Sequence, residues 1–238
     1  MRHNLSEAFA FGKLDRSADG IEWHPLVDHL ADVAAVFEAL CACRAVRRSL
    51  EAVAGRGLDH RDIARLAALA FLHDLGKANA GFQAKRWLNE ERPRGRLTAG
   101  HSAEAIALLE GSNHSEEAEA LLLHLPILEI CGWGAPETVD NLLRASIAHH
   151  GRPIANAPDW FNARIHWSRQ SDYDPAEQLT SIGAALQRFV PEAFVEGCAP
   201  LPDTPRFAHY FAGLVQLADW LGSDTRFFPF SNLGDRDR

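Results

Sequence analysis

Alanine and leucine make up 67 of the 238 residues, whereas valine, isoleucine and threonine contribute only 23. Alanine and leucine lose little freedom in a helix, and the β-branched residues that suit strands are scarce. The expected fold class is therefore all-α. Apolar spacing agrees at seven places. Leu26, Leu30, Val33, Phe37 and Leu40 form one helical stripe, and Pro25 suits its first turn. Ile63, Leu66, Ala67 and Ala70 mark a second helix over about Asp59 to Leu75, with Gly76 as its stop. A third begins near His101, with Ala105, Leu108 and Leu109 on one face. The others are expected over Ser115 to Leu125, Pro136 to His150, Asp174 to Phe189 and Pro205 to Leu221. No strand signal of comparable strength is present. Residues 85–100, 126–136, 151–173 and 191–204 read as loops. No repeat or low-complexity linker divides the chain, so residues 1–238 read as one helical domain. Residues 222–238, aromatic and then charged, read as a docking segment or a linker.

The formal net charge is −8, from 24 Lys and Arg against 32 Asp and Glu. That balance argues against coating nucleic acid by bulk charge, while leaving room for a local basic channel. The longest run free of those four residue types is Phe207 to Ala218, 12 residues, and a membrane span needs about 20. The N-terminus has no apolar signal core, so a cytoplasmic protein is expected. Cys41, Cys43, Cys131 and Cys198 form no CxxC pair and read as free thiols in a reducing compartment.

Histidine is over-represented, with 12 in the chain. In FLHDLGK, His73 and Asp74 offer an imidazole and a carboxylate to one small volume. Ile63, Ala67, Ala70 and Asp74 are spaced i, i+4, i+7 and i+11, so Asp74 continues a buried stripe. A carboxylate there is costly unless paired or bound to metal. His29 lies between Leu26, Leu30 and Val33; His101 opens the face of Ala105 and Leu108; His150 follows Ser146 and Ile147, with His149 beside it. Several helices thus point imidazoles inward, and a cluster of histidine and carboxylate suits a divalent transition metal. His24 is an alternative to His29 but precedes Pro25, outside the regular helix. The remaining histidines, His3, His60, His114, His124, His166 and His209, read as surface or ordinary polar contacts.

The blocks WHPLVDHLADVAAV, FLHDLGKANAGFQ, AGHSAEA, SIAHHGRP and LADWLGSD, spread from residue 23 to 224, resemble the HD nuclease domain of the type I CRISPR-associated helicase-nuclease. This is a branch of the HD metal-dependent phosphohydrolases. The resemblance implies a two-metal site. His29, His73, Asp74 and Asp219 would hold one ion, and Asp74, His101, His149 and His150 the other, with Asp74 bridging. Asp28 and Asp224 are weaker alternatives to Asp219, which falls off the main apolar stripe of its helix. Two such ions activate water and stabilise the leaving oxygen of a phosphodiester, with Asp74 and Lys77 as the catalytic pair of side chains. Lys77 matches the lysine of the family's HDxGK block and would neutralise charge on the scissile phosphate. Imidazole-rich ligation suits Mn, Fe, Ni or Co better than Mg alone.

Lys85 to Arg96, KRWLNEERPRGR, carries five basic and two acidic residues around Trp87. Lys85, Arg86, Arg92, Arg94 and Arg96 are candidate contacts to a single strand, joined by Arg152 after the histidine pair. Arg164 and Arg169, with Trp160, Phe161 and Trp167, form a second basic and aromatic group. By resemblance the substrate is single-stranded DNA in type I CRISPR interference, cut as an endonuclease or exonuclease. The partners are a helicase and an RNA-guided surveillance complex that displaces one strand. The chain has no GxxxxGK[ST] loop, so the helicase motor lies in another chain or another part of a longer one. The alternative is an HD phosphohydrolase acting on nucleotides or cyclic nucleotides.

Overall fold

The alanine and leucine bias is realised as a helical assembly with one small hairpin. A computed structural model describes residues 9–17, 20–87, 92–151, 154, 157–170 and 172–230. The hairpin comes first, as β1 (Phe11–Ser17) and β2 (Gly20–Pro25). Then follow α1 (Leu26–Ala42), α2 (Arg44–Ala54), α3 (His60–Phe71), a 3-10 segment Leu72–Ala78, α4 (Ala80–Gln83) and α5 (Ser102–Gly111). The chain continues through α6 (Glu116–Leu122), α7 (Ile127–Cys131), α8 (Pro136–Ile147), α9 (Trp160–Trp167), α10 (Pro175–Phe189) and α11 (Pro205–Gly222).

Helix α3 is the central element. Asp59 caps it by accepting from the backbone N–H groups of Arg61 and Asp62, and the Asp62 carboxylate accepts from the backbone N–H of Asp59. Arg56 holds that same carboxylate with two hydrogen bonds. From Asp62 to Phe71 every residue is buried, as expected of a helix surrounded by others. Helix α1 packs between α3 and α11. On the α11 side, Phe37 meets Phe211 edge-on at 5.6 Å, both fully buried. Each ring contributes roughly 1.5–3 kcal/mol of burial. Helix α8 lies against α11, and α5 against α9 and the 3-10 segment.

The structure departs from the sequence reading where interactions are not local. The hairpin was not expected: its strands alternate weakly, and two strands alone are marginal. It holds because it lies on α1. A Cβ on Gly12 would meet the His29 Cβ at 2.8 Å, and the backbone N–H of Leu26 donates to the Ala10 carbonyl. Gln83 ties the hairpin to the segment after the His73-Asp74 pair, accepting from Phe11 N and donating to the carbonyls of Phe11 and Lys77. Three segments read as loops contain helices: α7 within 126–136, α9 within 151–173 and a 3-10 turn, Pro191–Phe194, within 191–204. Helix α9 is short and is fixed by tertiary contact, with Trp167 donating to the Glu104 carbonyl. The expected helix from Asp59 to Leu75 stops at Phe71 and tightens into the 3-10 segment, with Asp74 at φ −111°, ψ 19°.

Candidate metal centre

That tightening aims the side chains of His73 and Asp74 into one buried space. The Nδ1 of His73 lies 2.9 Å from the Ala70 carbonyl. A carbonyl only accepts, so Nδ1 carries the proton and Nε2 keeps its lone pair when the ring is neutral. His149 is set the same way, with Nδ1 3.1 Å from the Ser146 carbonyl. Ser146 is itself anchored, donating its hydroxyl to the Leu69 carbonyl of α3. Gly76 lets the second wall approach, because a Cβ there would lie 2.0 Å from the His101 carbonyl oxygen. Asn79 locks that approach by donating to the carbonyls of Gly76 and Gly100.

Two sets of ligand atoms result, each with its members within 4.8 Å of one another: His29, His73, Asp74 and Asp219 in one, and His101, His149 and His150 in the other. Asp74 faces both. Its Oδ2 lies 3.1 Å from His29 Nε2 and 3.2 Å from His73 Nε2, while its Oδ1 lies 3.1 Å from His101 Nε2 and 3.7 Å from His149 Nε2. Asp219 Oδ1 lies 3.6 Å from Nε2 of both His29 and His73, and Ser223 donates to that oxygen. His101 and His150 bring their Nε2 atoms to 3.0 Å. In the first set His29, His73 and Asp74 are buried and Asp219 is half-buried, whereas His150 in the second is exposed, so the centre opens to solvent at the second set.

The donor chemistry fits divalent metal. His73 Nε2 and Asp74 Oδ1 are buried with no hydrogen-bond partner among the described residues. Such orphaned atoms are costly unless something else satisfies them. Burial pushes the imidazoles of His29, His101 and His149 down, to about 3, about 4 and about 4, so all three are neutral at physiological pH. Burial acts on His73 in the same sense, but the Asp74 and Asp219 carboxylates overcome it and raise this imidazole to about 9. Burial also opposes the Asp74 charge, yet Lys77 and His73 hold that carboxyl well below its usual range. Asp219 is likewise lowered against burial, chiefly by the nearby His73 imidazole, 3.6 Å away.

The other candidates fall elsewhere. His24 bonds Asp32 at 2.8 Å and joins neither set. Asp224 pairs with Arg226, and Asp28 joins neither set. Lys77 is in place, 2.6 Å from Asp74 Oδ2 and donating to the Gly12 carbonyl. The basic segment is largely committed to the fold. Arg86 is buried and bonds the carbonyl and side chain of Gln83, so it does not face solvent as a strand contact would require. Arg96 pairs with Asp172. Lys85 and Arg94 are exposed, Arg92 is half-buried, and Arg152 lies outside the described residues. Of the second group, Trp160 and Trp167 are core residues, while Phe161 is exposed under Arg164.

One residue went unnoticed in the sequence. Lys13 on β1 is half-buried at this centre. Burial lowers its ammonium from the ordinary value, against the pull of Asp219 and Asp74. Among the described residues it has no carboxylate ion pair, so its charge is available to an incoming anion. Its only signal in the sequence was its place after Gly12, which acquires meaning once the hairpin sits on His29.

A family model described as "Cas3, HD domain" matches residues 11–228. The chain belongs to the Cas3 HD domain family. The "CRISPR-associated endonuclease/helicase Cas3" of Thermus thermophilus is 33% identical over 221 residues, covering 89% of this chain and 22% of that protein. The "CRISPR-associated nuclease/helicase Cas3" of Streptococcus thermophilus is 26% identical over 189 residues, covering 71% of this chain and 19% of that protein. The crystal structure of the T. thermophilus Cas3 HD domain in the presence of Ni²⁺ superposes with a TM-score of 0.52 at 29% identity, covering 90% of this chain and 77% of that one. The chain thus spans about a fifth of the length of its full-length Cas3 relatives. No described helix is long and apolar enough to cross a membrane.

Proposed function

We propose that this chain is the nuclease part of a Cas3 protein, hydrolysing phosphodiester bonds of single-stranded DNA in type I CRISPR interference. The observation that carries this reading is the division of Asp74 between two ligand sets, Oδ2 facing His29 and His73 and Oδ1 facing His101 and His149. One carboxylate shared in this way suits a pair of divalent ions. His29, His73, Asp74 and Asp219 would hold the first, and Asp74, His101, His149 and His150 the second. Such ions supply Lewis acidity to a phosphodiester and lower the pKa of water.

The protein's own groups do the rest. The carbonyls of Ala70 and Ser146 hold the Nδ1 atoms of His73 and His149, so both rings aim Nε2 at the centre, His73 binding once its Nε2 proton is released. The exposed edge at His150 is where a strand enters. Lys77 and Lys13 flank the carboxylates and offset the charge of the scissile phosphate. Lys85 and Arg94 extend positive charge outward along the strand. The helicase named for relatives and an RNA-guided surveillance complex would deliver the displaced strand, which suits a domain whose net charge of −8 favours weak DNA binding on its own.

The test is hydrolysis of single-stranded DNA, nucleoside triphosphates and cyclic nucleotides with Mn²⁺, Ni²⁺ or Mg²⁺. Single-stranded DNA should be cut, with activity lost in chelator and reduced at least about 100-fold in Asp74→Asn. Activity confined to mononucleotides would overturn the reading.

A further inference from the structure

A cavity of about 610 Å³ opens between α8 and α11 and reaches the metal centre at His149. Its volume falls within the roughly 300–1,000 Å³ of small-molecule sites. The α8 wall carries Thr138, Ala145 and His149, and the α11 wall carries Ala208, Ala212 and Gln216. These positions recur at helical spacing, and each row runs toward a ligand: the first ends on His149, and the second leads one turn further to Asp219. Small side chains on both rows keep the helices from closing the groove.

A second feature marks the groove as a binding site. Thr138 is 2% exposed, and its hydroxyl has no hydrogen-bond partner among the described residues. A buried unpaired hydroxyl costs about 1–3 kcal/mol unless a ligand or water completes it. The polar groups lining the groove include the Asn141 and Gln216 amides and the His209 imidazole. Amides pair with the donor and acceptor edges of nucleobases, and imidazole offers a flat face for stacking. No lysine or arginine lines it among the described residues, and the one formal charge is the acid Asp203. These described groups suit an uncharged, flat, polar-edged partner.

We propose that this groove receives the bases of the strand on one side of the scissile phosphate. It thereby sets the strand's position by contact with bases, while the backbone is handled by the metal centre and its lysines. The proposal rests on the nuclease reading above.

The groove can be filled without disturbing the fold. Gly213 lines it, and a Cβ added there meets nothing within 4 Å, so Gly213→Trp projects an indole into open space. Binding of a fluorescent thymidine octanucleotide and of a matched abasic oligonucleotide would be compared by anisotropy in chelator, where no cutting occurs. The wild type should bind the base-bearing strand roughly 10-fold more tightly. Gly213→Trp should erase that difference while keeping the wild-type melting temperature and the wild-type affinity for the abasic oligonucleotide. Equal affinity of the wild type for both oligonucleotides, no measurable binding of either, or a preference that survives in Gly213→Trp overturns the proposal. Failure of the nuclease reading looks different: the base preference persists, but no metal restores cutting of single-stranded DNA.

Discussion

Asp74 Oδ1 lies 3.1 Å from Nε2 of His101, on the side of the carboxylate turned away from His73. The contact bridges the 3-10 segment after α3 to the residue that precedes α5. It depends on the bare Cα of Gly76, which lies under the His101 carbonyl.

Gly76→Ala should therefore damage the protein through packing. The added methyl falls 2.0 Å from a backbone oxygen, and backbone cannot move aside cheaply. Urea denaturation should show a loss of about 1–3 kcal/mol. The variant should also bind metal more weakly, because His101 is displaced from Asp74. Unchanged stability would show that the two segments are not held this closely.

His150 is the exposed ligand, so its removal should separate metal binding from folding. In His150→Ala the melting temperature in chelator should match the wild type within the error expected for an exposed site, about 0.5 kcal/mol. The number of ions retained, measured by elemental analysis after dialysis, should fall from two toward one. Retention of two ions at wild-type affinity would exclude His150 from the second set.

Metal-free stability should depend on pH with a definite sign. Burial holds the folded-state values of His29, His101 and His149 below the unfolded value of 6.5. As pH falls below about 6.5 the unfolded chain takes up protons at these residues that the folded chain excludes, so stability falls. His73 acts oppositely: raised to about 9, its contribution is complete below 6.5 and is lost as pH rises through 9. Three groups outweigh one, so thermal midpoints in chelator should drop steeply from pH 6.5 to 5 and only gently from 6.5 to 9. A midpoint that climbs on acidification to pH 5 would contradict this balance.

Lys13 should matter for the phosphate and little for the fold. In Lys13→Met, the slope of log affinity for single-stranded DNA against log salt should become shallower by about 0.7, the share of one phosphate contact. The melting temperature should hold or rise, since a half-buried ammonium without an ion pair is removed. An unchanged salt slope would place Lys13 outside the strand's path.

The sequence put His150 on the inward stripe of its helix, but α8 ends at Ile147, which leaves His149 buried and His150 exposed. What the sequence alone determined is that this protein is helical, that Asp74 continues a buried stripe beside His73, and that His29 points inward from its own helix. These are properties of local periodicity, set by 3.6 residues per turn and by the cost of burying polar groups singly. The five motif blocks also carried the family resemblance. Tertiary structure decided the rest. It chose His29 over His24 because α1 turns one inward while the other, before Pro25, bonds Asp32. It brought Asp219, off its helix's apolar stripe, to 3.6 Å from two imidazoles because α11 packs on α1. It withdrew Arg86 and Arg96 from the basic segment by giving them partners inside the fold. It seated the hairpin, and with it Lys13, beside His29, and it opened the groove between α8 and α11. Each of these depends on contacts between residues tens to almost two hundred positions apart, and no window of local sequence encodes that distance.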